Sequence, residues 1–263
     1  MNSKEMKLNL GNTYMNVIQF GHGPKNLVMI SGVTLSGLEG QGEGVAAAFK
    51  DYLDEFTFYL FERRKVLEEG ASIQDMAEDV ATCMDQLGVE KAYVYGASQG
   101  GMIGQVLALT HPEKVIKLCI CSTLSRPSET VKKTAAEWLT LAKDRNVVGL
   151  NRSFFKYVYS KAFLDSVKDM IPVLEKVGTA KDCDRFVILV EAILKFDVYQ
   201  DLKNIQCPVF AVADTNDHVL GVEPTLEIAD ALNCEKYIYT QYSHAVYDEA
   251  ADFKEKMCAF FKK

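Results

Sequence analysis

The spacing of hydrophobic positions along this chain switches repeatedly between two periods. Thr13 to Phe20 alternates in a strand-like way, Gly21-His22-Gly23-Pro24 forces a turn, and Asn26 to Ile30 begins a second apolar strand. Glu43 to Leu53 is helical in pattern, and Phe56 to Phe61, rich in aromatic and β-branched residues, predicts a third strand. Ser72 opens a helix. Its hydroxyl can cap, Asp75 stands three positions on, and the stripe Ile73, Met76, Ala77, Val80, Met84, Leu87 runs to Gly88, which ends it. Lys91 to Tyr95 predicts the next strand, Met102 to Leu109 a helix that stops at His111-Pro112, and Val115 to Cys121 a further strand.

From Ser125 to Asp201 the strand pattern disappears. Stripes of period 3.6 predict helices over 128–143, 152–165 and 183–195, with a short one near 170–177. Strand and helix then alternate again, with strands at Pro208–Ala213 and Lys236–Thr240 and helices at Pro224–Leu232 and Asp248–Phe261. This order demands an α/β fold with a mainly parallel central sheet flanked by helices. The chain divides into a core of residues 1–124 and 202–263 and a helical insertion of residues 125–201, placed as a cap over one edge of the sheet. It carries no internal repeat.

With 263 residues, 48% of them hydrophobic, the chain can bury one large core. Its net charge of -7, with no long Lys/Arg cluster, argues against a nucleic-acid partner and mildly against a strongly anionic substrate; the expected partner is a small-molecule substrate. No apolar segment follows Met1 to Lys7, and no apolar stretch has the length of a membrane span, so a cytoplasmic protein is expected. A homo-oligomer is compatible with the sequence, which does not separate an apolar surface from the underside of a lid. The 7 cysteines, odd in number and mostly in apolar segments, read as free thiols. Cys119 and Cys121 share one strand face and lack the spacing of a zinc knuckle.

The chemistry concentrates at Gly96-Ala97-Ser98-Gln99-Gly100-Gly101, between a predicted strand and a predicted helix. A sharp strand–helix turn exposes a serine above the carboxyl ends of the strands, and glycines on either side relieve the crowding. The Gln99 N–H, at the start of the helix, is free to donate. A serine nucleophile needs a neutral imidazole as base. Of the 4 histidines, His244 lies just after the last strand, at the sheet edge where Ser98 points. His111 falls on the far side, where the helix from Ser98 ends; His22 is in the first turn and His218 in a loop. Asp214 and Asp217 both follow the Val209–Ala213 strand. Asp217 sits far enough beyond it to reach the His244 loop, whereas Asp214 is suited to brace backbone N–H groups. The loop after Ile30 offers the Val33 N–H beside Gly32 as a second oxyanion donor, with Ser31 and Thr34 as weaker candidates.

Gly96 to Gly100, Pro208 through Asp217, and Ser243 to Ala250 together resemble the α/β-hydrolase superfamily, in the branch with a helical cap between two core strands. The resemblance spans Tyr14 to Phe261. It implies Ser98 as nucleophile, Asp217 as acid, His244 as base, Val33 and Gln99 as oxyanion amides, and no metal or organic cofactor. Three departures stand out: Ser31-Gly32 replaces the usual His-Gly, Ala213 replaces a glycine, and Phe61 to Lys65 lacks the glycine of an Asp-x-Arg-Gly segment, which predicts a reshaped loop. The expected function is that of a serine carboxylesterase acting on small to medium, apolar or aromatic esters through an acyl-enzyme. The cap supplies the aromatics Trp138, Phe154, Phe155, Tyr157, Tyr159, Phe163 and Phe186. Alternatives on the same triad are carbon–carbon or amide hydrolysis and acyl transfer; a non-catalytic ligand-binding protein of this fold is the rival from another class.

Overall fold

Strands β3 (Lys25–Ile30), β5 (Ala92–Ala97), β6 (Val115–Cys121) and β7 (Val209–Asp214) form the middle of the sheet. Apart from Asp214 at the end of β7, the carboxyl halves of these strands are apolar at successive positions because helices cover both faces. The computed structural model describes residues 3–263. Its sheet is completed by β1 (Lys4–Asn9), β2 (Tyr14–Gly21), β4 (Phe56–Arg64) and β8 (Glu235–Tyr239), in the order β1-β2-β4-β3-β5-β6-β7-β8. β2 pairs antiparallel with β1 and β4, and the remaining pairs are parallel. Ile30 pairs with Gly96, and Gly96 with Ile120, so three strands end at the same edge.

One face of the sheet packs against α2 (Ile73–Gln86), α3 (Gln99–Thr110) and α9 (Glu223–Leu232). The other packs against α1 (Gly42–Ala48) and α11 (Phe253–Lys262), through Phe49, Phe253, Phe260 and Phe261. Between β6 and β7 lie α4 (Glu129–Lys143), α5 (Val147–Val158), α6 (Lys161–Ser166), α7 (Ile171–Leu174) and α8 (Ala180–Lys195). Trp138, Leu150, Phe186 and Leu189 from these helices join the apolar cluster of the α3 face, so the insertion is seated by burial.

The pattern misplaced several boundaries. β1, with its lysines and glutamate, is an edge strand of mixed burial that gave no apolar run. The helix expected over 152–165 breaks at Tyr159, which is extended (φ -110°, ψ 149°), and Ser160 caps α6 by accepting the Phe163 N–H. The expected helix over Asp248–Phe261 is two pieces, α10 (Val246–Glu249) and α11, and α1 stops at Ala48 before a 3-10 turn at Lys50–Tyr52. Where a reshaped loop was expected at Phe61 to Lys65, β4 continues as strand through Arg64. The Ser72–Asp75 capping box is present. All the cysteines are free, with Cys207 and Cys234 only half-buried. Among the described residues no helix is long and apolar enough to cross a membrane.

Candidate active site

Ser98 joins β5 to α3 at φ 52°, ψ -122°, a region non-glycine residues avoid at a cost of order 1–3 kcal/mol. The surrounding packing holds it there. Ser98 N–H donates to Cys121 O at 2.9 Å, and Thr123 Oγ1 donates to Ser98 O at 2.7 Å. The turn is too tight for side chains at its glycines: a Cβ on Gly96 would lie 2.3 Å from Gly100 O, and one on Gly100 2.0 Å from Ile30 O. Ser98 Oγ has no hydrogen-bond partner among the described residues, yet it is not sealed from solvent.

The two aspartates after β7 have different surroundings. Asp214 accepts backbone N–H groups from Asn216 (2.7 Å), Gln241 (3.2 Å) and Tyr242 (2.8 Å), tying the ends of β7 and β8 together. Asp217 accepts the Val219 and Leu220 N–H groups at 2.8 and 2.9 Å through Oδ1, and its Oδ2 lies 2.8 Å from His244 Nδ1. Both side chains of this pair are almost fully buried, at 0% and 4% exposure. An Nδ1–H donated to Asp217 leaves His244 Nε2 as the free acceptor. The His244 loop is also fixed to α5: Ser243 Oγ donates to Tyr157 O and Ala245 N–H to Val158 O. The structure thus brings Asp217 and His244 into contact, while Ser98 hydrogen-bonds to neither. The other histidines stand apart: His22 meets Asp54, His111 meets Glu78, and His218 accepts a bond from Thr134 through its carbonyl oxygen.

Gly32 approaches Ser98 so closely that a Cβ there would sit 3.2 Å from Ser98 Cβ. The N–H groups of Val33 and Gln99 have no acceptor among the described residues. The Ser31 and Thr34 hydroxyls are already engaged, donating to Phe61 O of β4 and to Ser36 O within the loop.

A buried polar cluster behind this loop escaped the sequence reading. Arg63 donates from Nε to Gln99 Oε1 (3.1 Å) and from Nη2 to Ser31 O (2.5 Å). Gln99 Nε2 in turn donates to Leu189 O of α8 at 2.8 Å. Glu62 accepts from Asn16 Nδ2 at 3.0 Å and lies 3.5 Å from Arg185. Burial, helped by the nearby Arg185 charge and opposed by Glu62, pushes the Arg63 guanidinium down to about 9. The signal was there to find, since Glu62-Arg63-Arg64 continues a strand whose preceding residues are all apolar or aromatic from Phe58 on. Arg64 itself turns outward to pair with Asp79.

Beside the site is a cavity of about 640 Å³. Ser31, Gly32, Val33 and Ala97 form its wall on the serine side, and Phe49, Leu60, Tyr95 and Phe253 make much of the rest apolar. The insertion contributes Phe154, Val158 and Tyr159. Trp138 and Phe186 instead pack inside the insertion, their rings 6.0 Å apart. Arg126 and Arg152 pair with Glu227 and Glu175, away from the cavity. No group of three or more His, Cys, Asp or Glu side chains among the described residues is arranged to hold a metal ion.

The fold has known counterparts. The family model of the alpha/beta hydrolase fold matches residues 27–147. A protein of Caulobacter sp. (strain K31), provisionally named carbamate hydrolase RutD, is 26% identical over 75% of this chain and 76% of its own. The 3-oxoadipate enol-lactonase 2 of Acinetobacter baylyi is 23% identical over 66% of this chain and 69% of its own. Among solved structures, the enol-lactonase from Burkholderia xenovorans LB400 superposes with a TM-score of 0.84 at 19% identity, covering 98% of this chain and 100% of the other. MGS-M2, an alpha/beta hydrolase enzyme from a deep-sea metagenome library, superposes with a TM-score of 0.86 at 18% identity, over 98% of each chain. The chain has the α/β-hydrolase fold.

Proposed function

We propose that the protein is a serine hydrolase that cleaves carboxylic esters through an acyl-enzyme on Ser98. The observation that carries this reading is the Asp217–His244 contact of 2.8 Å, which leaves the Nε2 of His244 free at the sheet edge where Ser98 is held. His244 takes the Ser98 proton as Oγ attacks the carbonyl carbon. Asp217 fixes the tautomer and supports the imidazolium that forms. The Val33 and Gln99 amides hold the oxyanion. The imidazolium then protonates the leaving alcohol. Water, deprotonated by His244, attacks the acyl-enzyme and releases the acid. The Ser98–His244 hydrogen bond forms with substrate in place, as such bonds are commonly long or poorly aligned in free enzymes. Residues 125–201 serve as the cap, and the apolar cavity receives the body of a small or medium ester.

The relatives named for enol-lactone and carbamate hydrolysis support extending the substrate range to cyclic esters and carbamates, since both are acyl compounds open to the same attack. Turnover should be measured over p-nitrophenyl esters of graded acyl length, alongside a lactone, a carbamate, an amide and a diketone. Ester or lactone turnover that Ser98→Ala abolishes is the expected result. Turnover of the diketone or amide alone would shift the reading to carbon–carbon or amide cleavage, and full activity in Ser98→Ala would overturn the nucleophile.

A further inference from the structure

Asp248 is the one carboxylate among the residues lining the cavity, and the mechanism above does not use it. It stands in α10, four residues beyond His244, and lines a space whose walls are mostly apolar and aromatic residues and glycine. The residue is exposed to solvent, yet surrounding protein atoms desolvate its carboxyl, as at the mouth of an open cavity. Its acceptor capacity is nearly unused. The single side-chain contact is from Tyr159 Oη to Oδ2, at 3.5 Å. A carboxylate offers about four lone-pair sites, so most of the acceptor strength here is turned toward whatever fills the cavity.

The charged and titratable groups around Asp248 are few. Lys254 of α11 also lines the cavity and favours the ionised carboxylate, while Glu249 on its own helix opposes it. Lys254 forms no ion pair with it and instead extends over the Phe49 ring, Nζ 5.5 Å from the centroid. The hydroxyls of Tyr159 and Tyr247 complete the polar end. The Gly32–Val33 loop, with Gly32 packed against Ser98, lines the same cavity, so a ligand at the serine that enters this largely apolar space shares it with the Asp248 carboxylate.

We propose that this cavity selects esters carrying a neutral hydrogen-bond donor, a hydroxyl or an amide N–H, several carbons from the scissile carbonyl, with Asp248 as the acceptor. A substrate ending in a carboxylate is disfavoured there by like charge. The proposal rests on the ester-hydrolase reading above and narrows its substrate class. It identifies Asp248 as a specificity residue, distinct from the groups that act on the carbonyl.

The test compares kcat/KM for two matched series: p-nitrophenyl hexanoate against its 6-hydroxy analogue and its 6-carboxylate, and hexyl butyrate against 6-hydroxyhexyl butyrate. The first series probes the acyl side and the second the alcohol side. In at least one series the hydroxyl compound should exceed the plain one by about tenfold, the scale of a hydrogen bond to a charged acceptor. Asp248→Leu should erase that ratio, and Asp248→Asn, which keeps an acceptor, should retain part of it. Because each ratio is internal to one enzyme preparation, partial misfolding does not alter it, and the isosteric Asn variant supplies the result if the Leu variant fails to fold. Equal rates for hydroxyl and plain esters in both series, or a preference that survives Asp248→Leu, overturn the proposal. A preference for the carboxylate that disappears in Lys254→Met also overturns it. No turnover of any ester would instead be a failure of the hydrolase reading.

Discussion

Gly100→Ala tests how tightly the serine turn is coupled to the oxyanion loop. A Cβ on Gly100 would lie 2.0 Å from Ile30 O, 2.6 Å from Ile30 C and 2.7 Å from Ser31 O. These are backbone atoms at the end of β3, so no rotamer change relieves the contact. Reaching an ordinary separation of 3.4 Å requires a displacement of about 1.4 Å, the difference between 3.4 and 2.0 Å. If the first turn of α3 moves, it carries the Gln99 amide with it. If the end of β3 moves, it carries the Val33 amide. Overpacking of this kind costs about 1–3 kcal/mol of stability. A misplacement of about 1 Å costs about 10²-fold in rate, and the loss of one oxyanion donor about 10²–10³-fold. The variant should therefore lose at least ~10²-fold in kcat on p-nitrophenyl butyrate. Its urea midpoint should drop by an amount that leaves most molecules folded in buffer. Gly104→Ala is the matched control within α3. Its Cβ would meet Leu118 Cδ1 at 3.0 Å, a side-chain tip that can turn away, so kcat should stay within about twofold. A Gly100→Ala enzyme with wild-type kcat would refute the coupling of turn and loop.

Three further outcomes follow from the same geometry. Asp217→Asn should lower kcat by about 10⁴-fold through loss of the required His244 tautomer, the scale seen when a triad aspartate is replaced. Asp214→Asn should instead cost about 1–2 kcal/mol of stability with kcat within tenfold, and the reverse ranking would exchange the two roles. Arg63→Met strands Gln99 Oε1 and Ser31 O without donors in a buried site. It should cost about 2–4 kcal/mol in chemical denaturation and lower kcat more than it changes KM; unchanged stability would mean that the cluster is not coupled to folding. Crowding pushes the Asp248 carboxyl up to about 6, so the folded chain binds that proton more tightly than the unfolded chain does. Stability contributed by this group falls as pH rises from the ordinary aspartate range through 6. Asp248→Asn should accordingly raise Tm at pH 8 relative to wild type, with the gain shrinking below pH 6; a gain of the same size at pH 4.5 and pH 8 would contradict that account.

What could be read from the sequence was what periodicity and turn chemistry encode. The strand order, the helical insertion and the Ser98 turn are written in apolar runs bounded by glycine, and the Ser72 cap is written in two residues three apart. Asp214 and Asp217 could be named as a pair, and their different tasks rest on contacts between residues 27 and 28 positions apart, Asp217 with His244 and Asp214 with Tyr242. Helix interruptions at Tyr159 and at Ala250 to Asp252 arise where loops dock on the core, and local pattern carries no record of docking. Arg63 was passed over because a charged residue after a strand ordinarily reads as solvated surface. Its buried hydrogen bonds go to Gln99 and Ser31, which come from two other segments of the chain. The cavity is a property of the assembled fold: Asp248 meets Tyr159 across 89 positions of chain.

The central claim is that Ser98 is a nucleophile activated by His244. The most direct measurement is reaction of the folded protein with a fluorophosphonate probe, followed by digestion and mass spectrometry of the labelled peptide. The account predicts one stoichiometric adduct on Ser98, slowed severely by His244→Ala and abolished by prior unfolding. No adduct on Ser98, or one that forms equally fast in the unfolded chain, would contradict it.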